Sequence, residues 1–444
     1  MKIVEYFNAT NIISAFLWLI IVVLLTGLQR SRMKLDESNR LFQPQVYFHV
    51  GMALFFGIFY LLYYGGGDTT AYWDGGVALH NLFSDSPAAF LSEICETPDI
   101  YTITKNFNSA TGYPPSWIYK EPESYFICKI LVPISLITFQ SYLAATIVLG
   151  YITSLVTWKF FLAIKSLGIN DEKWLAVGVL FLPSVAFWCS GVSKDTFVYI
   201  AVCLLVRQII LLFTKKGSNK LSQILWVVLI LFFIIQSRFY ILIALLSSFF
   251  AAISIWFSNR AKTNNLKKTT IRIFFYGLGI GVIFLFIQFK TLDNIIDEII
   301  IIQKDFNANT TYGTNRYDLN ITDYSTLGII RTIPAALTAA LYRPFPWESL
   351  SPVLLMNGIE NLFLLFLSFK FFTTGFWSRV QLINKTPILT FSLFFVIIMG
   401  FSVGFSSGLF GVLVRFKTII LPFFIILLTI KPTENEQLAT VHEK

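Results

Sequence analysis

The sequence contains few charged residues: Asp, Glu, Lys and Arg make up 13% of its 444 positions. A water-soluble domain contains about 25% of these residues, so the composition excludes a soluble enzyme. Only four cysteines are present, which is too few for a disulfide scaffold in a chain of this length. Histidines are also few, at three. The apolar content of 55% excludes a disordered, collagen-like or nucleic-acid-binding chain. These apolar residues are gathered into long runs that are nearly free of charge, which is typical of a membrane protein.

The apolar runs predict an all-α fold, a polytopic bundle of about eleven membrane-spanning helices in a single membrane domain over residues 1–444. Three of the runs, 174–189, 222–236 and 418–430, are shorter than the roughly 20 residues that a span needs. They are expected to be extended by flanking residues or broken near the outer face. The predicted spans are 12–28, 47–65, 139–164, 174–189, 197–213, 222–236, 240–257, 273–289, 354–371, 387–404 and 418–430.

The net charge of +9 is explained by the sidedness of the loops. Short cytoplasmic loops of membrane proteins carry an excess of Lys and Arg. The short basic loops of this chain fall on one side if the N-terminus is outside, and residues 431–444 then form a cytoplasmic tail. The same arrangement predicts two long outer segments, 66–138 and 290–353. The positive charge is therefore interpreted as an orientation signal, with the lipid bilayer as partner and no nucleic acid.

Motifs for nucleotide binding are absent from the sequence. It has no Gly-x4-Gly-Lys-Ser/Thr or Gly-x-Gly-x-x-Gly pattern. His49, His80 and His442 have no spacing typical of a metal site, so no cofactor is predicted, although a divalent ion near Asp68 and Asp74 stays open. We expect chemistry on the outer side without ATP or a nucleotide sugar, which leaves lipid-linked donors.

The first outer segment begins with three glycines and Asp68. The glycines predict a tight turn out of the second span, and Asp68 is either the N-cap of the next helix or a catalytic acid. Tyr72 and Asp74 follow on that helix and are candidate substrate-binding residues. A second helix, over 124–138, is predicted to lie along the membrane surface. The same segment contains Cys95 and Cys128, for which an oxidising compartment would permit a disulfide.

A second polar stretch, from Leu182 to Phe197, joins two predicted spans so tightly that Lys194 and Asp195 must lie at the outer mouth. Charged residues there are costly unless they line an aqueous cavity or pair locally. Lys194 is therefore a candidate phosphate ligand and Asp195 a candidate catalytic acid. The alternative is a structural ion pair at a helix junction.

Further cations lie on the outer side, where basic residues are disfavoured. One of them, Arg343, stands before two prolines in Arg-Pro-Phe-Pro-Trp-Glu, and prolines fix the backbone. Each cation alone would be an ordinary interfacial anchor, but together they predict a site for a phosphate or diphosphate head group. Glu360, about two turns into the ninth predicted span, is a candidate substrate-binding residue. The cations grouped with Lys194 are Arg238, Arg331, Arg343, Arg415 and Lys417.

Two of these stretches resemble patterns of the GT-C superfamily of integral-membrane glycosyltransferases. The likeness is to its dolichyl-phosphate-mannose protein mannosyltransferase-like and bacterial aminoarabinose-transferase-like members, and it covers about residues 45–215. The chain departs from the pattern in having Thr69 where a second acid is expected, an additional N-terminal span and no large soluble C-terminal domain. The matching residues are Asp68, Tyr72 and the stretch to Phe83 in the first pattern, and Pro183, Ser190 and Asp195 in the second.

The resemblance implies an inverting glycosyltransferase of a bacterial cytoplasmic membrane. It would move a sugar from a polyprenyl-phosphate or polyprenyl-diphosphate donor to a lipid-linked or cell-envelope glycan acceptor on the outer face. Asp68 would be the general base, Asp195 or Asp74 would orient a substrate, and Lys194, Arg238 and Arg343 would hold the phosphate. An O-antigen-type polymerase and a lipid-linked glycan flippase or transporter stay open as alternatives.

Overall fold

The computed structural model describes residues 2–34, 38–98, 103–214, 220–261, 264–289, 325–349 and 351–431, together with 316, 317, 319, 321 and 323. Over these residues the protein is all-α, without β-strands. The helices in chain order are α1 Lys2–Glu5, α2 Ala9–Ser31, α3 Phe42–Leu62, α4 Asp68–Asp85, α5 Pro87–Cys95, α6 Ile103–Asn106, α7 Ser116–Lys120, α8 Pro122–Ile137, α9 Tyr142–Lys165, α10 Glu172–Leu180, α11 Pro183–Trp188, α12 Lys194–Thr214, α13 Lys220–Ser237, α14 Phe239–Arg260, α15 Asn265–Phe289, α16 Thr326–Tyr342, α17 Pro352–Thr373, α18 Phe376–Ile383, α19 Pro387–Ser406, α20 Phe410–Phe416 and α21 Leu421–Leu428.

Nine helices of the described chain are long and apolar enough to cross a membrane, which confirms a multi-pass membrane protein. A tenth candidate is the pair Phe410–Ile419 and Leu421–Leu428, bent by 63°. The nine are Ala9–Ser31, Asn39–Leu62, Tyr142–Lys165, Lys194–Phe213, Lys220–Ser237, Phe239–Arg260, Asn265–Leu285, Pro352–Thr373 and Pro387–Ser406.

The difference from the predicted count of about eleven lies at 174–189. This run forms two short helices, α10 and α11, and each is far shorter than a span requires. The break falls at Phe181 and Leu182, immediately before Pro183. Proline disfavours a helical backbone at the residue before it, so the sequence itself explains why the helix stops there.

The chain divides into two compact units, and each has buried apolar side chains of its own. The first unit is Met1–Ala163 with Val185–Phe239, and the second unit is Ile164–Ser184 with Tyr240–Lys444. The first unit thus contains residues 66–138, the predicted first outer segment, whereas the second contains Arg343 and Glu360.

In the first unit, α4 and α8 are packed closely because two glycines of α4 leave room for α8. A Cβ atom on Gly75 would lie 2.7 Å from Cys128 Sγ, and one on Gly76 would lie 2.9 Å from Leu131 Cβ. His80 Nδ1 lies 3.0 Å from Ser135 Oγ further along. The contacting residue numbers increase together on both helices, so the two helices run parallel and their N-termini lie at the same end of the pair.

The helices of the predicted first outer segment are held together by a buried acid, Glu93. Its carboxylate accepts hydrogen bonds from Tyr125 Oη at 2.7 Å, Tyr119 Oη at 3.1 Å and Asn106 Nδ2 at 2.7 Å. Burial first, and then the neighbouring Glu93 carboxylate, raise the pKa of Tyr125. Such a buried carboxylate is stabilised only when its oxygens are hydrogen-bonded, so Glu93 links α5, α6, α7 and α8 into one body.

In the second unit, a buried arginine, Arg379, binds carbonyl oxygens at the C-terminus of α17. Its guanidinium donates to the carbonyl oxygens of Lys370 at 3.0 Å, Phe371 at 2.8 Å and Ile430 at 3.1 Å. The carbonyls at a helix C-terminus have no partner within the helix, and a cation there also complements the helix dipole. Arg379 therefore caps α17 and ties it to the segment that follows α21.

Candidate functional site in the first unit

The beginning of α12 forms the centre of the candidate site in the first unit. Ser193 Oγ accepts a hydrogen bond from Thr196 N at 3.2 Å, as an N-cap does. The preceding Gly191 is required by packing, because a Cβ atom there would lie 2.0 Å from the Phe56 ring. Lys194 and Asp195 are consequently fixed as the first two residues of α12.

The carboxylate of Asp195 forms an ion pair with Arg238, and its Oδ1 lies 2.5 Å from Arg238 Nη2. Both side chains are buried. Arg238 directly follows α13, so the acid lies at the N-terminus of one helix and the cation at the C-terminus of another. Each charge therefore complements the dipole of its own helix as well as its partner, and the ends of the two spans are joined.

Lys194 and Asp195 do not pair with each other, since consecutive helical residues do not face one another. Lys194 Nζ instead lies 3.7 Å from Glu123 Oε2, in the first turn of α8. The side chain of Lys194 is 11% exposed and that of Glu123 is 51% exposed. The Lys194 side chain is thus nearly buried, while about half of the Glu123 side chain is exposed.

Asp68 is the first residue of α4 and is half-buried. The residue in the N-cap position is Gly67, so the structure does not support Asp68 as the N-cap. Gly65, Gly66 and Gly67 all have positive φ, a conformation that other residues rarely adopt, and Gly66 N donates to Tyr60 O at 2.9 Å. The predicted tight glycine turn is confirmed, and it delivers Asp68 to the N-terminus of a helix.

The parallel packing of α4 and α8 brings Asp68 to the same end of the first unit as the charged start of α12. Asp68 precedes Gly75 by about 10 Å of helix, and Glu123 precedes Cys128 by about 8 Å, at 1.5 Å per residue. Because Gly75 contacts Cys128, the start of α4 and the start of α8 lie at a similar height. Glu123 in turn contacts Lys194.

The other two candidates on α4 have partners or are enclosed. Tyr6 Oη donates a hydrogen bond to Asp74 Oδ1 at 2.5 Å, and burial together with Asp74 raises the pKa of Tyr6. Tyr72 is buried. Neither Tyr6 nor Glu123 was singled out in the sequence, although an acid at the start of a predicted surface helix is a signal that could have indicated Glu123.

No group of three or more His, Cys, Asp or Glu residues in the described ranges is arranged to hold a metal ion. Cys95 and Cys128 are free thiols, so the disulfide that the sequence permits is not formed. Cys128 is buried beside Gly75, and burial raises the pKa of its thiol. His442 lies outside the described residues.

Candidate functional site in the second unit

Arg343 of the second unit is held by its own turn. Its Nε and Nη2 donate to Glu348 Oε1 at 3.0 and 2.5 Å, and Phe345 N donates to Glu348 Oε2 at 2.8 Å. The guanidinium also lies over the rings of Tyr317 and Phe410, 5.3 and 5.2 Å from their centroids. The paired prolines of the sequence thus lie in a rigid turn whose arginine already has a carboxylate partner.

Lys417 is fully buried and is hydrogen-bonded to this turn. Its Nζ donates to Asn361 Oδ1 at 2.6 Å and to Arg343 O at 3.2 Å. Asn361 Nδ2 donates to Pro344 O at 2.7 Å. These contacts make Lys417 a positioning residue for the turn, whereas the sequence grouped it with the head-group ligands.

Glu360 is buried on α17, where Ser184 donates hydrogen bonds to its carboxylate and the charge of the buried Lys417 also acts on it. Its Oε2 accepts from Ser184 N at 2.8 Å, and its Oε1 accepts from Ser184 Oγ at 2.5 Å. Ser184 is the second residue of α11, directly after the break, where the first N–H groups of a helix have no helical partner. A cavity of about 280 Å³ adjoins this contact, with apolar walls that include Phe181, Pro183 and Ile359.

The remaining predicted cations are less enclosed. Arg331 is exposed on α16, and Arg415 is half-buried near the end of α20. Residues 290–315 of the predicted second outer segment and 432–444 of the predicted tail lie outside the described residues. Within the second unit, the structure therefore brings Arg343, Lys417 and Glu360 near the first turns of α17, and their grouping with the cations of the first unit stays a prediction.

The helices and the charged residues together define a multi-pass, all-α membrane protein with a charged cluster at one end of its first unit. No family model, curated protein or solved structure matches the chain. A function can therefore be inferred only from the residues of the two units and their geometry.

Proposed function

We propose that the protein is a membrane glycosyltransferase. It would move a sugar from a polyprenyl-phosphate-linked donor to a lipid-linked or cell-envelope glycan acceptor at the outer face of a bacterial cytoplasmic membrane. The sidedness in this proposal, with the N-terminus outside and the C-terminus in the cytoplasm, comes from the basic short loops.

The observation that carries the proposal is the set of charges at one end of the first unit. Asp68, Lys194 and the Asp195–Arg238 pair lie at the ends of spans or of helices packed on them. The N-termini of α4, α8 and α12 lie at this end, and helix N-termini favour anions. A carboxylate at the same end as cations and helix N-termini suits transfer from a donor with an anionic leaving group.

In the proposed reaction, an acceptor hydroxyl attacks the anomeric carbon of the donor sugar. Asp68 takes the proton of that hydroxyl as the new C–O bond forms. The bond from the anomeric carbon to the phosphate oxygen breaks, and its electron pair leaves with the phosphate. Lys194 and Arg238 stabilise the charge that develops there. Attack opposite the phosphate inverts the anomeric centre.

The contacts favour different roles for the two acids first considered as catalytic. Asp195 is buried against Arg238, which suits a positioning residue that fixes the guanidinium. Asp68 is half-buried at a helix start, which suits a base that meets a substrate hydroxyl. Arg343, Tyr72, Asp74 and Glu360 stay predicted substrate contacts, and none is needed for the steps above.

The test of Asp68 is the substitution Asp68→Asn. A positioned base contributes about 10²–10⁴-fold to rate, so turnover should fall by about that factor while the amount of folded protein in the membrane is unchanged. The rate is measured as the gain of one sugar on the glycan of a strain that carries only the variant. The matched control is Asp85→Asn, which makes the same change at the other, exposed end of α4 and should retain full turnover.

The reaction itself is tested by mass spectrometry of the lipid-linked and envelope glycans after deletion of the gene. A sugar transferase predicts a glycan that lacks one residue. Single repeat units that accumulate on the lipid would indicate a polymerase instead, and complete glycans retained on the inner face would indicate a flippase. Full turnover of the Asp68→Asn variant would remove Asp68 from the mechanism.

A further inference from the structure

Within the part of the chain that the structure describes, the ammonium of Lys194 has one distant carboxylate partner, which is few for a buried cation. Among the described residues, Glu123 supplies the only carboxylate within 4 Å of Lys194 Nζ. The adjacent Asp195 forms its ion pair with Arg238. Lys194 therefore depends on an acid from a different segment of the chain, the first turn of α8.

The contact between Glu123 and Lys194 is also weak in its geometry. The N···O distance of 3.7 Å exceeds the 2.7–3.2 Å of a hydrogen bond. The Glu123 side chain is half exposed, and ion pairs with an exposed partner contribute little to stability. Glu123 can leave Lys194 at low cost, whereas the nearly buried ammonium gains from any stronger anionic acceptor.

From this asymmetry we propose that Glu123 occupies the position on Lys194 that a phosphate group takes when the lipid substrate binds. The inference rests on the proposed function, because it assigns the ligand of the same site. Glu123 then acts as an internal competitor: it neutralises the ammonium in the empty protein and turns away when the phosphate arrives.

The neighbouring charges agree with such an exchange. Glu121 and Glu123 both act electrostatically on Lys194, as do Asp195 and Arg238. Two exposed acids therefore lie near two buried cations, and among the described residues Arg238 has a short, buried ion pair whereas Lys194 has a long one. A phosphate brings several oxygens and at least one full charge, so it can replace a single carboxylate oxygen on Lys194 with hydrogen bonds of normal length.

The experiment measures the dissociation constant of undecaprenyl phosphate for the full chain in detergent micelles. The substitution Glu123→Gln removes the competitor, and binding should become about two- to five-fold tighter, the range expected for an ion pair with an exposed partner. Lys194→Gln should weaken binding at least about ten-fold. In the double variant the Glu123 change should have no further effect, because its target is gone.

Two control variants separate competition from general charge. Glu172→Gln removes an acid paired with Lys165 at 2.7 Å elsewhere in the chain and should leave the dissociation constant unchanged. Glu121→Gln removes the same charge close to Glu123 without removing the contact with Lys194, so its effect should be smaller than that of Glu123→Gln. Equal tightening by the Glu121 and Glu123 variants would overturn the proposal.

The outcomes distinguish this inference from the proposed function. Two outcomes refute the competition but leave the phosphate site standing. In the first, Lys194→Gln weakens binding and Glu123→Gln changes nothing. In the second, Glu123→Gln still tightens binding when Lys194 is absent. If Lys194→Gln also changes nothing, the phosphate site itself is refuted. The same dissociation constants are also measured with inorganic phosphate. If the variants change the binding of inorganic phosphate in the same way, the site recognises phosphate alone. If they change only the binding of the lipid, the site recognises the lipid head group.

Discussion

Within the described residues, each unit contains one acid buried in or at the end of a span, and the two acids are stabilised in different ways. Asp195 of the first unit faces the guanidinium of Arg238. Glu360 of the second unit accepts two hydrogen bonds from Ser184, a neutral residue. Asp195 thus has a direct ion pair with a full charge. The direct contacts of Glu360 among the described residues are dipoles at a helix break, and the charge of the buried Lys417 acts on it without such a pair.

This difference determines what each acid can do. A charge-compensated acid cannot lose its partner without leaving a buried charge, which is strongly unfavourable. An acid whose direct contacts are neutral donors can be replaced by an amide that keeps those hydrogen bonds, although the amide no longer balances the charge of Lys417. We therefore expect the first unit to be sensitive to charge and the second to hydrogen-bond geometry.

The largest expected effect is that of Asp195→Asn. The variant leaves Arg238 buried without its counter-charge, and removal of one partner from a buried pair costs about 3–5 kcal/mol. The free energy of unfolding, measured by denaturation in mild detergent, should fall by that amount. A loss below about 1 kcal/mol would mean that the pair contributes no more than a surface contact.

The control for this prediction is the double variant Asp195→Leu with Arg238→Met. Apolar replacement of both partners of a buried pair is often neutral or stabilising, so most of the lost stability should return. Glycosyl transfer should not return, since the variant lacks the Arg238 cation. Recovery of both stability and transfer would show that the pair is structural only.

The matched change in the second unit, Glu360→Gln, should have a smaller effect of about 1 kcal/mol on the free energy of unfolding. The new amide oxygen can accept from Ser184 N, and the new amide N–H can donate to Ser184 Oγ, whose hydroxyl rotates. The same denaturation experiment measures the difference from Asp195→Asn. Equal losses in the two variants would contradict the comparison between the two acids.

Ser184→Ala is the control for the Glu360 site. It removes the Oγ donor at 2.5 Å but keeps the backbone N–H donor. A hydrogen bond to a charged group contributes about 1.5–3 kcal/mol, so this variant should be less stable than Glu360→Gln. The reverse order would mean that the carboxylate charge, and not its hydrogen bonds, determines stability here.

The sequence predicted the fold class and most of the spans, because a span is defined by a long apolar run that a single sequence displays. It also predicted the glycine turn before Asp68, since three consecutive glycines favour backbone conformations that residues with a Cβ atom rarely adopt. The broken segment 174–189 was partly foreseen from its short length, and Pro183 identifies the point of the break.

The partners of the charged residues could not be predicted in the same way. Asp195 stands next to Lys194 in the sequence, yet it pairs with Arg238, and Lys194 pairs with Glu123. Which segments meet depends on how the helices pack, and a single sequence contains no direct record of that. Ser184 gave no signal either, because one serine in an apolar run is ordinary.

A third acid, Glu348, extends the comparison to an acid outside the spans and gives the smallest expected effect. Burial alone would raise the pKa of Glu348, but the hydrogen bonds from Arg343 and Phe345 N and the charge of Arg343 outweigh it, so the pKa lies below its ordinary value of 4.5. A lowered carboxyl pKa means that the unfolded chain binds the proton more tightly. The contribution of Glu348 to stability is therefore complete above pH 4.5 and is lost as the pH falls through the lower, folded value.

The measurement is the difference in melting temperature between the wild type and Glu348→Gln, followed from neutral pH to below the ordinary carboxyl pKa of 4.5. We expect the wild type to be slightly more stable at neutral pH and this advantage to shrink under acidic conditions, because protonation of Glu348 releases Arg343. A constant difference over the whole range would mean that the carboxylate charge contributes nothing to the turn. The turn would then be held by its other hydrogen bonds, such as those from Lys417, Asn361 and Ser349, and hydrogen bonds would dominate at this turn as well as at Glu360.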